Sequence, residues 1–290
     1  MEETVQLIVT GEMENIALAK ALGHGFPALS FLKTQKFDGF TSVTVKENIL
    51  KPENVKSNAD KLADALIAAV DPGRQGEPAD MAIVIEDLEL ENVHQADVVI
   101  KCFRDTVKQC VYERWSNQER QEQCFRKIRE RCSFHLFVPM TEAYFFGESD
   151  ALRRAGAERD STVSGINMNI EEFLVSDDAD YLNAPLQSGD WKADWAVDFQ
   201  KRKQHPKHYL QYLCDPKGTK KRKERYRETH GGVRALESLD WNAVLKNQEY
   251  VTFLRSLFDD ISDRFNLENP YSGNCHPLTD YAGGTLLRNI

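Results

Sequence analysis

The stretch 81–91, MAIVIEDLELE, constrains the fold more than any other part of the chain. Five consecutive apolar residues, Met81, Ala82, Ile83, Val84 and Ile85, have the composition of a strand buried on both faces. A parallel sheet covered by helices provides that environment. The run stops on Glu86, Asp87 and Glu89. Acids at such a strand end either gather around a metal ion or solvate the loop that leads to the next helix.

Other segments repeat the theme. Residues 5–9, VQLIV, read as a short buried strand, followed by Thr10-Gly11 and a helix over 14–22. Gly11 suits the tight turn, and Glu12 and Glu14 suit the start of the helix, where carboxylates meet unpaired N–H groups. That electrostatic preference alone accounts for either glutamate taken singly. After a loop holding Gly23, Gly25 and Pro27, residues 40–45, FTSVTV, alternate as a second strand. Residues 54–70 line Leu62, Ala65, Leu66 and Ala69 along one helix face. Residues 96–131 are helical with a break near Ser116-Asn117, and 134–138, FHLFV, form a fourth strand ahead of Pro139. An aromatic run over 144–146 then leads to a helix at 149–155.

Strands alternating with helices predict an α/β domain over 1–156, a mainly parallel sheet flanked by helices. Ligands of such sheets bind outside the carboxyl ends of the strands. Three acid groups fall there: Glu12 and Glu14 after the first strand, Glu86, Asp87 and Glu89 after the third, and Glu142 after the fourth.

Beyond this domain the pattern changes. Residues 157–200 lose a clear period and turn acidic, with Asp177, Asp178 and Asp180 close together, as in an irregular insertion or connector. Trp191, Trp195 and Phe199 share a helical spacing that suits core packing. Residues 201–290 form a basic, mostly helical C-terminal region. Within it, 201–234 carry 12 Lys and Arg against 3 acids, a local excess of +9 on a chain whose net charge is −9. Such asymmetry fits a local contact with phosphate or an acidic partner, and equally a solvated basic loop. The nucleic-acid-binding candidates are Lys207, Lys220, Lys221, Arg222, Lys223, Arg225 and Arg227. Tyr209, Tyr212 and Tyr226 are interleaved among them as candidates to stack bases.

With 290 residues, 41% of them apolar and 29% charged, the chain can bury a sizeable core. It has no apolar run of the ~18 residues that a membrane span requires, and its N-terminus shows no basic region before an apolar segment. The expected setting is the cytoplasm, without a membrane partner. There Cys102, Cys110, Cys124 and Cys132, two C-x7-C pairs, are expected to be reduced core thiols rather than the disulfides of a helical hairpin. The chain contains no G-x-x-x-x-G-K-[ST] phosphate loop, no G-x-G-x-x-G fingerprint and no H-E-x-x-H zinc motif.

Taken in order, a strand, the turn Val9-Thr10-Gly11-Glu12-Met13-Glu14 and a later strand ending in Asp87-Leu88-Glu89 resemble the Toprim fold. That fold occurs in topoisomerases, primases and overcoming-lysogenization-defect nucleases. The segment FHLFVPMTEAYFFGESDAL, with Glu142 and Asp150, and the segment His205-Pro206-Lys207 with Tyr209 and Leu210, resemble a Toprim-like family of poorly characterised bacterial proteins. The resemblance implies a Mg²⁺- or Mn²⁺-dependent nuclease of DNA or RNA. In that reading Glu14, Asp87 and Glu89 are the catalytic candidates, and Glu12, Glu14, Asp87, Glu89 and Glu142 the metal candidates. It also implies a role in bacterial anti-phage defence beside an ATPase partner of the AAA or ABC type, and leaves a homo-oligomer open. The family's V-E-G-x-T-E start departs here at Thr10, which cannot supply the charge of the first Glu. A degenerate Toprim-like module that binds a partner protein or nucleic acid is therefore the alternative.

Overall fold

The computed structural model describes residues 2–37, 58–74, 76–163, 169–184, 195, 201–221, 224–247, 251–269, 287 and 290. At its centre lie the strands β1 (Glu3–Val9), β2 (Leu29–Phe31), β3 (Gln35–Lys36), β4 (Met81–Asp87) and β5 (Cys132–Phe137). All are parallel, and β1 sits between β4 and an edge formed by β2 and β3, with β5 beyond β4. The expected α/β architecture, a parallel sheet flanked by helices, is thus what the chain adopts.

One difference concerns the edge. Residues 29–36, for which the sequence predicts no strand, hydrogen-bond to β1 in two short pieces: Leu29 aligns with Glu3 and Gln35 with Ile8. Their brevity and mixed exposure carry no alternation to read. The expected strand at 40–45 lies outside the described residues.

The period of two in the strands sorts their side chains into two cores. Val5, Leu7, Val9, Met81, Ile83, Ile85 and Phe137 face α1 (Glu12–Gly25) and the C-terminal region. Ile8, Ala82, Val84, Phe134 and Leu136 face α2 (Asn58–Val70), α3 (Ala96–Arg114) and α4 (Gln118–Arg131). Burial on both sides explains why 81–85 contains no polar residue. The break between α3 and α4 falls as expected, because Asn117 caps α4 by accepting from the Arg120 N–H at 3.0 Å. Leu62 and Leu66 on α2 and Val99, Phe103 and Val107 on α3 supply the apolar stripes, and Phe103 stacks on Phe134 at 4.3 Å between ring centres.

The later segments join the first core. After β5 and a cis Val138–Pro139 bond comes a 3-10 segment (Thr141–Gly147). Then follow α5 (Ser149–Ala155), α6 (Ala179–Leu182), α7 (Pro206–Cys214), α8 (Val233–Glu237), α9 (Trp241–Asn247) and α10 (Thr252–Phe265). Leu254, Leu257, Phe258 and Ile261 of α10 are fully buried. The acidic connector reads as irregular by sequence, yet its buried Glu171 receives the Phe253 and Leu254 N–H groups of α10 at 3.1 and 2.9 Å. Trp195 is buried, at 5.0 Å from Tyr212 between ring centres, which bears out core packing at that position. Trp191 and Phe199 lie outside the described residues. Cys102, Cys110, Cys124 and Cys132 are free thiols, the last three buried, as expected. No helix among the described residues is long and apolar enough to cross a membrane.

Candidate active site at the carboxyl ends of β1 and β4

The chain leaves β1 through α1 and β2 on one side of the sheet and continues through β4 and β5 on the other, so strand order reverses between β1 and β4. In doubly wound sheets the crevice at that reversal is where ligands bind. Here it is a cavity of about 170 Å³, lined by Glu14, Glu86, Asp87, Glu89, Glu142 and Glu228 with Thr10, Gly11, Met13 and Ile85.

Each acid is delivered by a distinct local device. Glu14 lies in the first turn of α1 and folds back over Gly11. A Cβ at Gly11 would lie 1.8 Å from the Glu14 carboxylate, so only glycine permits this approach. Glu86 and Asp87 end β4, and Glu86 accepts from the Thr10 hydroxyl of the neighbouring strand. Glu89 sits at φ 66° and ψ 154°, a region that only glycine enters freely. It is held there by its N–H donating to Pro139 C=O at 2.8 Å, one step after Leu88 N–H donates to Phe137 C=O at the same distance. Glu142 is brought in by the turn after β5 and accepts from Tyr226 O–H at 3.2 Å. Glu228 comes from the turn Glu228–Gly232, where Cβ atoms at Gly231 and Gly232 would meet Ala155 and Met13.

Thr141 links two of the acids. Its N–H donates to Asp87 Oδ1 at 3.0 Å, and its hydroxyl lies 3.1 Å from the same oxygen and also bonds Glu14 Oε1. A hydroxyl has one hydrogen, so Glu14 and Asp87 compete for it, and a proton on either carboxyl would let Thr141 serve both. The electrostatics agree. Burial pushes Asp87 well above the ordinary carboxylate range, with repulsion from Glu14, Glu89, Glu142 and Glu86 adding to it. Burial also raises Glu14, against the Thr141 hydrogen bond, and raises Glu89, with Glu91 adding to the shift. Glu142 is pushed up to about 7, by burial first and by Glu228 and Glu14 next, while Lys207 opposes. For Lys207 itself, burial is the largest influence and lowers its affinity for the proton, but Glu142, Glu228 and Asp87 together raise it. It ion-pairs with Glu228 and is the candidate cation nearest these acids.

The sequence candidates therefore divide. Glu14, Asp87, Glu89 and Glu142 come together. Glu12 does not line the cavity; it pairs with Lys36 at 2.6 Å. Among the basic candidates, Lys220 pairs with Glu158 at 2.7 Å, and Arg225 donates to Lys220 C=O at 3.0 Å beside Asp215. Lys221 and Arg227 are exposed, and Arg222 and Lys223 lie outside the described residues. The interleaved tyrosines do not stack bases: Tyr209, Tyr212 and Tyr226 are buried, with Tyr209 donating to Asp178 at 2.9 Å. Tyr209 and Tyr212 pack from α7 into the core, and Tyr226 packs there from the loop ahead of the Glu228–Gly232 turn. Sequence reasoning assigned no role to Thr141 or Glu228, and gave Tyr226 a base-stacking role in place of its bond to Glu142. The one available signal was the placement of Thr141 beside Glu142 just after a strand.

A second constellation, Ser133, His135 and Asp260, has the residue types of a nucleophilic triad. Ser133 Oγ lies 2.5 Å from His135 Nε2 and 2.7 Å from Asp260 Oδ2. All three are fully buried between β5 and α10, so no substrate reaches them; they tie the helix to the sheet.

Fold and site together define a doubly wound parallel α/β protein with a carboxylate-lined crevice at its topological switch point. Compared with protein-family models, curated proteins and solved structures, the chain has no match.

Proposed function

We propose that the protein is a Toprim-like nuclease that uses Mg²⁺ or Mn²⁺ to cleave phosphodiester bonds of DNA or RNA. The observation that carries this reading is the convergence of Glu14, Glu86, Asp87, Glu89 and Glu142 on one small cavity at the switch point. The donor chemistry fits a hard divalent ion: the titratable groups lining the cavity are all carboxylates, with no imidazole or thiol. Glu14, Asp87 and Glu89 would hold the ion. When bound, it would stabilise charge on the scissile phosphate and activate water.

The residues of the chain define the remaining parts. Thr141 orients Glu14 and Asp87 toward one another. Glu142, with its proton affinity near neutrality, is suited to carry a proton between water and leaving group. Lys207 supplies positive charge beside the acids to a substrate that is itself an anion. The strained backbone at Glu89 is a cost that a purely structural loop would have no reason to keep. A setting in anti-phage defence and an ATPase partner rest on the family resemblance alone.

Two observations favour a second reading, a catalytically degenerate module that binds a partner protein or nucleic acid. Thr10 occupies the usual first acidic position, and no three His, Cys, Asp or Glu side chains among the described residues stand arranged to hold a metal ion. Incubating the protein with single- and double-stranded DNA and RNA, with Mg²⁺ or Mn²⁺, separates the two. Metal-dependent cleavage that disappears in an Asp87→Ala, Glu89→Ala double variant supports the nuclease. Cleavage surviving in that variant, or none in the native protein, sinks it.

A further inference from the structure

On the surface, α5 and α8 border a shallow, open depression of about 460 Å³. It is lined by Arg153, Arg154, Arg234, Glu237 and Ser238. The arginines differ in how fully they are matched. Arg154 pairs with Glu148 at 2.8 Å, but its buried Nε–H has no hydrogen-bond partner among the described residues. Arg153 pairs with Asp150 at 2.9 Å, with both side chains mostly exposed, a kind of pair that contributes little and is given up readily. Arg234 is exposed and has no ion-pair partner among the described residues. The one acid in the lining, Glu237, is already engaged by Lys20.

Three guanidinium groups line one opening, with Arg234 unmatched by a carboxylate among the described residues, Arg153 held only by an exposed pair and Arg154 keeping a free Nε–H, and together they offer donors to an oxyanion. Planar N–H forks match phosphate oxygens in pairs. Position selects among oxyanions. A Cβ on Gly231 would lie 2.3 Å from Ala155 C=O, so the turn that carries Glu228 into the cavity packs directly on the end of α5. The same short segment then runs on to Arg234. A polymer can present one phosphate to the acids and another to the arginines, which a single small anion cannot. We propose that the Arg153, Arg154 and Arg234 pocket binds a backbone phosphate of the nucleic acid whose neighbouring phosphodiester enters the cavity. This rests on the nuclease reading and adds to it the surface that holds the flanking strand.

The test measures fluorescence anisotropy of a labelled oligonucleotide, single- or double-stranded, with the full-length protein in chelator, so that cleavage plays no part. An Arg153→Ala, Arg234→Ala double variant changes only exposed side chains, and Arg126→Ala on α4 removes an exposed charge elsewhere as a control. The double variant is expected to bind about tenfold more weakly and to lower the slope of log affinity against log salt by about one, the signature of a lost phosphate contact. The control keeps the native affinity and slope. Equal affinities and slopes in all three proteins, or no oligonucleotide binding by the native one, overturn the proposal. So does binding of inorganic phosphate that needs the two arginines while oligonucleotide binding does not, since the pocket would then serve a free anion. Arginine-dependent binding without cleavage in Mg²⁺ or Mn²⁺ removes the nuclease and keeps the phosphate site. Cleavage with arginine-independent binding does the reverse.

Discussion

Glu171 and Glu142 are buried glutamates with the same raised proton affinity, each pushed up to about 7 chiefly by burial, yet their surroundings differ in kind. Glu171 is surrounded by donors. It receives Phe253 N–H at 3.1 Å, Leu254 N–H at 2.9 Å and Tyr144 O–H at 3.1 Å, and so closes the N-terminus of α10. Glu142 receives Tyr226 O–H and faces other acids across a cavity, with Lys207 as the cation that opposes them. A buried carboxylate matched by fixed donors is a structural tie. Buried carboxylates facing one another leave negative charge that a cation can satisfy.

The largest expected effect would break this comparison at its structural end. Glu171→Ala strands the Tyr144 hydroxyl and uncaps α10, and its expected cost is about 3 kcal/mol in a denaturant titration. A loss below the usual range for an exposed substitution would show that Glu171 is not a tie.

Nearly as large is the pH dependence. A carboxyl whose folded pKa of about 7 exceeds its ordinary 4.5 holds its proton in the folded state over an interval where the unfolded chain has lost it. Its contribution is therefore full below about pH 4.5 and is lost as pH rises through 7, a swing of at most about 3 kcal/mol. Glu171→Gln keeps an acceptor for Tyr144 and removes this part of the slope, so melting curves at several pH values should be flatter than for the native protein. An unchanged slope would assign the titration to Glu142 and its neighbours instead.

The third expectation concerns the cavity. Mg²⁺ at a hundredfold excess over its dissociation constant should stabilise the native protein by about 2.7 kcal/mol. Asp87→Asn should abolish that gain and, without metal, leave the protein at least as stable as before, since burial and four neighbouring acids all oppose charge on Asp87. Neutralising one acid then stabilises where removing Glu171 destabilises. Thermal melts with and without Mg²⁺ read both signs, and a Mg²⁺ response that persists in Asp87→Asn would place the ion elsewhere.

How much of this was legible follows from what local sequence can encode. Met81 to Ile85 announce a strand covered on both faces because every side chain meets a core, and Gly11 and Glu14 follow a strand end at turn spacing. Glu171 was not legible as a tie, because its partners on α10 lie some eighty residues away and its own segment has no period. Thr141 owes its role to register: pairing Asp87 with Phe137 brings the turn after β5 over the end of β4. Glu228 is an acid in a basic segment and reaches the cavity only because Gly231 and Gly232 let its turn pack closely. The edge pieces Leu29–Phe31 and Gln35–Lys36 are strands only because β1 offers them hydrogen bonds.

The smallest effect is the most diagnostic of purpose. Glu89 holds φ 66° and ψ 154°, and a side chain there costs on the order of 1 kcal/mol or more. Glu89→Gly should therefore raise stability by about 1 kcal/mol, partly offset by the greater freedom glycine gives the unfolded chain. If the cavity exists to hold a cation, the same variant should weaken the Mg²⁺-induced rise in melting temperature. More stability with less metal response would mean that the chain keeps a strained glutamate for the ion. A gain in stability with the metal response intact would leave Glu14 and Asp87 as the ligands and Glu89 as an acid beside them.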